Sequence, residues 1–273
     1  MITTELTDPI GIRVTPDRPS DTAVLVLAGS SGRVETARAE LLARSGAVAE
    51  SIRWFGGPGQ QPGPWEVPVE LFQSRVAELR TLADRVVILG TSFGAEAALI
   101  TAAYTPEVDA VIAFAPTDVV WAGIRPEGGQ TSHWTVAGAA LPYISFVEDW
   151  RPDTDPPAYR ELYRTSWEHA DPGGRAAAEI PVERIPRILL VAGGDDQVWP
   201  SVDHAHRIAQ RRRAVGRDTM IVSAPEAGHR TILPGETAVV GGQAMARGGT
   251  PEADAALGER AWPKITELLG RPG

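Results

Sequence analysis

The pentapeptide Gly90-Thr91-Ser92-Phe93-Gly94 constrains this chain more than any other stretch. An apolar run at 85–89 precedes it and an alanine-rich run at 95–104 follows. That order predicts a strand, a sharp turn and a helix. This is the layout of a nucleophile elbow, where the turn lifts a serine hydroxyl above the edge of a sheet. Glycines at both ends leave room where a side chain would meet the neighbouring strand or helix. By itself the pentapeptide also fits an ordinary strand-to-helix turn, so the rest of the chain has to decide.

Buried strands are expected at 21–28 (DTAVLVLA), 47–54, 108–115 (VDAVIAFA), 183–192 and 218–223, with an edge strand at 10–14 inside a short lead-in. Helical spacing covers 34–44, 68–82, 201–215 and 251–269. Strands alternating with helices predict an α/β chain with a mostly parallel, doubly wound sheet. Right-handed crossovers then bring residues 29–32, Ser92, 116–118 and 193–196 to one crevice, because each follows the C-terminal end of a strand. Residues 117–181 break the alternation and are rich in Pro, Trp and Tyr, which predicts a cap-like insertion. Residues 232–250 are glycine-rich and expected to be loop. The organisation expected is one domain over 1–273, with a core at 21–116 and 182–270.

A chain of 273 residues, 43% hydrophobic and 22% charged, can bury such a core. Its net charge of −9 argues against a nucleic-acid partner. It has no cysteine, so a disulfide framework, a thiolate nucleophile and a Cys-based zinc site are excluded. No basic-then-apolar leader opens it and no run is long enough to span a bilayer, so a cytoplasmic protein without a membrane partner is expected.

A serine hydroxyl needs a base to take its proton and a third group to orient that base. The order nucleophile, acid, histidine along the chain is met by Ser92, then Asp195 or Asp196, then His229. The spacing Gly-x-x-Asp-x-x-x-Pro, supplied by Gly193, Asp196 and Pro200, favours Asp196 and leaves Asp195 as a turn or capping residue. An oxyanion would meet the backbone N–H of Phe93 and a second donor after the first core strand. There Ser30 is preferred, and its neighbour Ser31 is assigned to substrate contact. Trp54, Trp121, Trp134 and Trp199 fall in the elbow-side loops and the insertion. Two readings coexist for them, a core for the cap and an apolar acyl pocket above Ser92. His204 and His206 diverge on a helix and read as surface residues. His133 and His169 have no acidic or cysteine partner at ligand spacing. No metal and no cofactor is assigned.

Several further stretches carry a resemblance. They are residues 90–98, Ala115-Pro-Thr-Asp-Val-Val-Trp-Ala-Gly123, Ser132-His-Trp-Thr, Gly193-Gly-Asp-Asp-Gln-Val-Trp-Pro-Ser201, Gly228-His229 and Gly248-Gly-Thr-Pro-Glu-Ala253. Together they resemble the catalytic domain of the acyl-CoA thioesterase and bile acid-CoA:amino acid N-acyltransferase family and, more distantly, dienelactone hydrolases. The resemblance implies an α/β-hydrolase fold and a Ser92–Asp196–His229 triad acting on acyl thioesters carried by CoA or an acyl carrier protein. The alternatives are an acyltransferase or cyclase on the same residues, or a carboxylesterase or lactonase acting on simple esters. In the family, transfer to amino acids goes with a Cys nucleophile and hydrolysis with Ser, so Ser92 leans towards hydrolysis.

Overall fold

The apolar runs become the inner strands of one eight-stranded sheet in the computed structural model, which describes residues 1–237 and 243–270. In chain order the elements are β1 (Ile2–Thr7), β2 (Ile10–Thr15), β3 (Thr22–Leu27), α1 (Thr36–Arg44), β4 (Val48–Ile52), α2 (Glu70–Arg80), β5 (Arg85–Thr91), α3 (Phe93–Ala103) and β6 (Ala110–Phe114). They continue with α4 (Arg160–His169), α5 (Pro172–Ala178), β7 (Arg187–Gly193), α6 (Ser201–Ala214), β8 (Met220–Ala224) and α7 (Pro251–Leu268). The strand order is β1-β2-β4-β3-β5-β6-β7-β8. Every pair from β4 to β8 is parallel, and only the β1–β2 and β2–β4 pairs are antiparallel.

Side chains alternate across each inner strand, which is why both faces can be covered. On β3, Ala23, Leu25 and Leu27 belong to the core cluster shared with α2, α3 and α6, whereas Val24 and Val26 belong to the one shared with α1 and α7. A fully buried aliphatic side chain contributes about 1.5–3 kcal/mol. That burial, more than intrinsic propensity, holds a nine-residue helix such as α1. Thr250 caps α7 by accepting from the Ala253 N–H, with Pro251 in the first turn.

The lead-in forms two strands, β1 at the edge of the sheet and β2 beside it, where the pattern predicts one. All but one residue of β1 is exposed, so it has no apolar alternation to betray it. Between residues 117 and 181 the chain makes two small hairpins, Ala122–Ile124 with Gln130–Ser132 and Trp134–Val136 with Ala139–Ala140, then α4 and α5. The second hairpin also pairs in parallel with Val67–Pro68, tying the insertion to the loop before α2. Residues 232–250 carry no helix or strand where described, and 238–242 of that stretch lie outside the described residues. Among the described residues no helix is long and apolar enough to cross a membrane.

β3 lies between β4 and β5, so the chain leaves β3 towards one side of the sheet and returns on the other. The C-terminal ends of β3 and β5 therefore open a crevice at a topological switch point. Gly29 follows one of these strands and Ser92 the other.

Candidate active site

Ser92 has φ 59° and ψ −123°, a left-handed backbone that a residue with a Cβ adopts at a cost of about 1–3 kcal/mol. Its surroundings leave no other path. A Cβ on Gly90 would lie 2.0 Å from the Gly94 carbonyl oxygen. One on Gly94 would lie 2.4 Å from the carbonyl oxygens of Leu27 and Ala28. The Ser92 carbonyl accepts from the N–H groups of Ala95 and Glu96 at 2.8 and 3.0 Å, and the Ser92 N–H donates to Phe114 at 2.9 Å. The Phe93 N–H opens α3 and, like the Ser30 N–H, finds no acceptor among the described residues. Both residues line the cavity that Ser92 faces. Two free amides at a helix start and a facing turn are suited to developing negative charge.

Asp196 and His229 come from the loops after β7 and β8. The Asp196 side chain is fully buried, and its Oδ1 accepts from the N–H groups of Val198 and Trp199 at 2.9 and 3.2 Å. Its two oxygens stand 3.0 and 2.8 Å from His229 Nδ1. The His229 N–H donates to the Arg247 carbonyl at 2.9 Å, and the ring reaches the cavity. Asp195 turns elsewhere. It accepts from the Gly249 N–H and from Gln197 Nε2, each at 2.7 Å.

A clamp holds these two loops together. A Cβ on Gly248, which has φ +66°, would lie 1.6 Å from the Asp195 carbonyl oxygen. Asp254, in the first turn of α7, accepts from the Gly228 N–H at 2.7 Å. Burial pushes the Asp254 carboxyl up, and the Gly228 N–H acts against that. Gly248-Gly249-Thr250-Pro251 thus sets the acid and the histidine loops against one another from the start of α7. Neither loop's own sequence signals that role.

The cavity has a volume of about 780 Å³ and lies between the elbow, the insertion and residues 229–237 and 243–247. Phe55, Phe93, Phe146 and Leu162 give it apolar walls, and Arg33, Arg230 and Arg247 add positive charge. Arg33 pairs with Glu35 at 2.9 Å. Burial, then the charges of Arg247 and Arg33, lower the proton affinity of the Arg230 guanidinium. Among the described residues no group of three or more His, Asp or Glu side chains is arranged to hold a metal ion.

The expected tryptophan pocket needs correction. Trp54, Trp121, Trp134 and Trp199 are fully buried behind the cavity wall, and none lines it. Each indole N–H has an internal acceptor: the Ala28 carbonyl, Thr117 Oγ1, Glu96 Oε1 and the Ala115 carbonyl respectively. A buried indole whose N–H is satisfied inside the protein is structural. Trp65 and Trp150 reach the wall instead, and Ser31 is exposed and lines the cavity.

Two histidines also differ from expectation. His204 is not on the surface but buried against Asp118, which also meets Arg207. Burial alone would push Asp118 up, but His204 and then Arg207 outweigh it and hold the carboxyl well below the usual range. His133 does have an acidic partner, Glu96 on α3, 37 positions away in sequence. No local spacing could have announced either pair.

A mostly parallel sheet with a strained serine after its fifth strand and an aspartate–histidine pair on two later loops defines an α/β-hydrolase. The chain matches the family described as BAAT / acyl-CoA thioester hydrolase C-terminal over residues 68–271 and belongs to that family. The fold is shared with solved structures at low identity. A Klebsiella pneumoniae protein described as a dienelactone hydrolase is 14% identical, with 99% of each chain covered and a TM-score of 0.55. A monoacylglycerol lipase from Paleococcus ferrophilus is 15% identical, again with 99% of each chain covered, at TM-score 0.53. A lipase in an open form is 16% identical, covering 96% of this chain and 95% of its own, at 0.55. No curated protein matches the sequence significantly.

Proposed function

We propose that the protein is a serine hydrolase of acyl thioesters, working through an acyl-Ser92 intermediate. The observation that carries this reading is that His229 Nδ1 faces the buried Asp196 carboxylate while His229 and Ser92 open onto one large cavity. Held through Nδ1, the ring has Nε2 left to take the Ser92 hydroxyl proton as Oγ attacks the acyl carbonyl. The tetrahedral oxyanion is met by the N–H groups of Phe93 and Ser30. As the C–S bond breaks, the proton on His229 passes to the leaving thiolate. Water then donates a proton to His229 and attacks the acyl-serine ester, and Ser92 regains its proton as the carboxylic acid departs. Asp196 stays ionised throughout and stabilises the imidazolium.

The family description favours a CoA thioester over one on a carrier protein, and the arginines that line the cavity suit the phosphates of such a carrier. A fluorophosphonate probe should label the wild-type protein and not Ser92→Ala. Thiol release from acyl-CoA substrates should disappear in the same variant. Labelling that survives Ser92→Ala, or thiol release that survives it, would refute the assignment. Release of thiol that depends on an added amine or alcohol would make the protein a transferase.

A further inference from the structure

The acyl cavity carries a second histidine–carboxylate pair that the proposed hydrolysis does not use. Glu96 is fully buried inside α3, and its carboxylate lies 3.1 and 3.3 Å from His133 Nδ1. It also accepts from the Trp121 N–H and the Trp134 Nε1–H. Glu96 is thus fully engaged and holds the His133 ring in one orientation. The ring itself is 2% exposed, yet it lines the cavity. With Nδ1–H given to the carboxylate, neutral imidazole leaves Nε2 as an acceptor. Among the described residues Nε2 has no protein partner, and it is not sealed from solvent.

Tyr163 supplies a complement. It is 6% exposed and lines the same cavity, and its hydroxyl likewise has no partner among the described residues and is not sealed off. Both residues belong to one aromatic patch beside the elbow. The His133 ring lies 4.2 Å from Phe93, Phe93 5.7 Å from Trp199, and Trp199 5.3 Å from Tyr163. Burial first, and then the charge of Glu96, pushes the Tyr163 phenol up, so it stays an O–H donor. Both atoms open onto the cavity, where water meets them in the free protein and a ligand carrying a matching donor and acceptor would take the place of that water.

We propose that His133 Nε2 and the Tyr163 hydroxyl form a recognition site for a hydroxyl group on the acyl chain, close to the carbonyl. The substrate hydroxyl donates to Nε2 and accepts from the tyrosine. Because the His133 ring lies against Phe93, the residue after Ser92, the proposal places the recognised carbon towards the thioester end of the chain. This deepens the thioesterase reading by naming its substrate class as hydroxyacyl thioesters.

Binding to Ser92→Ala, which the proposed chemistry cannot turn over, tests it without relying on hydrolysis. The probes are the N-acetylcysteamine thioesters of butyrate, 2-hydroxybutyrate, 3-hydroxybutyrate and 3-oxobutyrate, measured by calorimetry. At least one hydroxyacyl thioester should bind about tenfold or more tighter than butyryl, the size expected of paired buried hydrogen bonds. Adding Tyr163→Phe should remove most of that ratio, and His133→Phe should do the same. Should the histidine variant fail to fold, Tyr163→Phe alone decides, since it removes one oxygen from a ring that otherwise stays packed. A ratio near one in Ser92→Ala, an unchanged ratio after Tyr163→Phe, or a preference for the 3-oxo thioester over both hydroxy thioesters would overturn the proposal. Turnover of the same thioesters by the wild-type protein tests the hydrolase reading separately. A hydroxyl preference in binding with no turnover would defeat that reading and leave this site standing.

Discussion

The cavity meets two imidazoles held by buried carboxylates, His229 on Asp196 and His133 on Glu96. Both bonds run through Nδ1, at 2.8 Å in one pair and 3.1 Å in the other. Their supports differ. Asp196 is held by backbone N–H groups of its own loop, and the His229 loop is braced by the Gly248-Gly249 turn and Asp254. Glu96 is held by a helix and by an indole, with His133 supplied by the insertion. One pair bridges two loops at the C-terminal edge of the sheet, and the other bridges the core and the cap. In our reading the same local chemistry gives a base in one place and a substrate contact in the other. What differs is which group the free nitrogen faces.

The largest expected effect separates the pairs directly. His229→Ala should lower kcat by roughly 10⁴-fold or more, as loss of a catalytic base does, measured as thiol release. His133→Ala should cost far less in kcat on an unsubstituted acyl chain and more in stability, because it leaves Glu96 buried without its partner. The reverse pattern would exchange the two roles.

Next in size is the contrast between neighbours. Asp196→Asn should reduce kcat by about 10³–10⁴-fold, because the amide favours the wrong tautomer. Asp195→Asn should act mainly on stability, by about 1 kcal/mol for the weakened Gly249 contact, read from chemical denaturation. Equal losses of activity would mean that the second turn matters as much as the bond to His229.

A smaller effect tests the clamp. Gly248→Ala should destabilise the fold by about 1–3 kcal/mol through its positive φ, and by more if the Asp195 carbonyl cannot move. Activity should fall with it, since the Asp195 and His229 loops shift together. A variant that lost stability but kept full kcat would show that the loops do not depend on this turn.

The smallest effect concerns the third buried pair, His204 and Asp118, which stays out of the cavity that Ser92 and His229 line. Its carboxyl titrates below the unfolded value, so the native state is stabilised above about pH 4 and loses that contribution as pH falls. Asp118→Asn should flatten this acid limb in thermal melts taken between neutral and acidic pH, with activity at neutral pH affected only through stability. An unchanged acid limb would mean that the Asp118 pair contributes nothing to it.

Much of this architecture was legible in the linear order of residues. The inner strands show as apolar runs, because a parallel strand covered on both faces has no polar side to hide. The elbow shows because Gly90 and Gly94 are demanded by close backbone approach. Asp196, favoured over Asp195 by its distance from Gly193, is the residue that faces His229. The edge strand β1 was missed because its exposed residues carry no periodic signal. Of the two readings of the tryptophans the structure takes the core and not the pocket, a choice composition leaves open because it says that a side chain is apolar, not which side of a wall it takes.

By itself, then, the sequence determined what depends on neighbours along the chain: strand, turn and helix, and the order of serine, aspartate and histidine. Only the tertiary structure decided what depends on neighbours in space. It joined Glu96 to His133 and Asp118 to His204, seated Gly248 against Asp195, and sent four indoles inward. The physical reason is that hydrogen bonds and packing act over a few ångströms. A contact between residues 37 or 86 positions apart exists only once the sheet has brought their loops together.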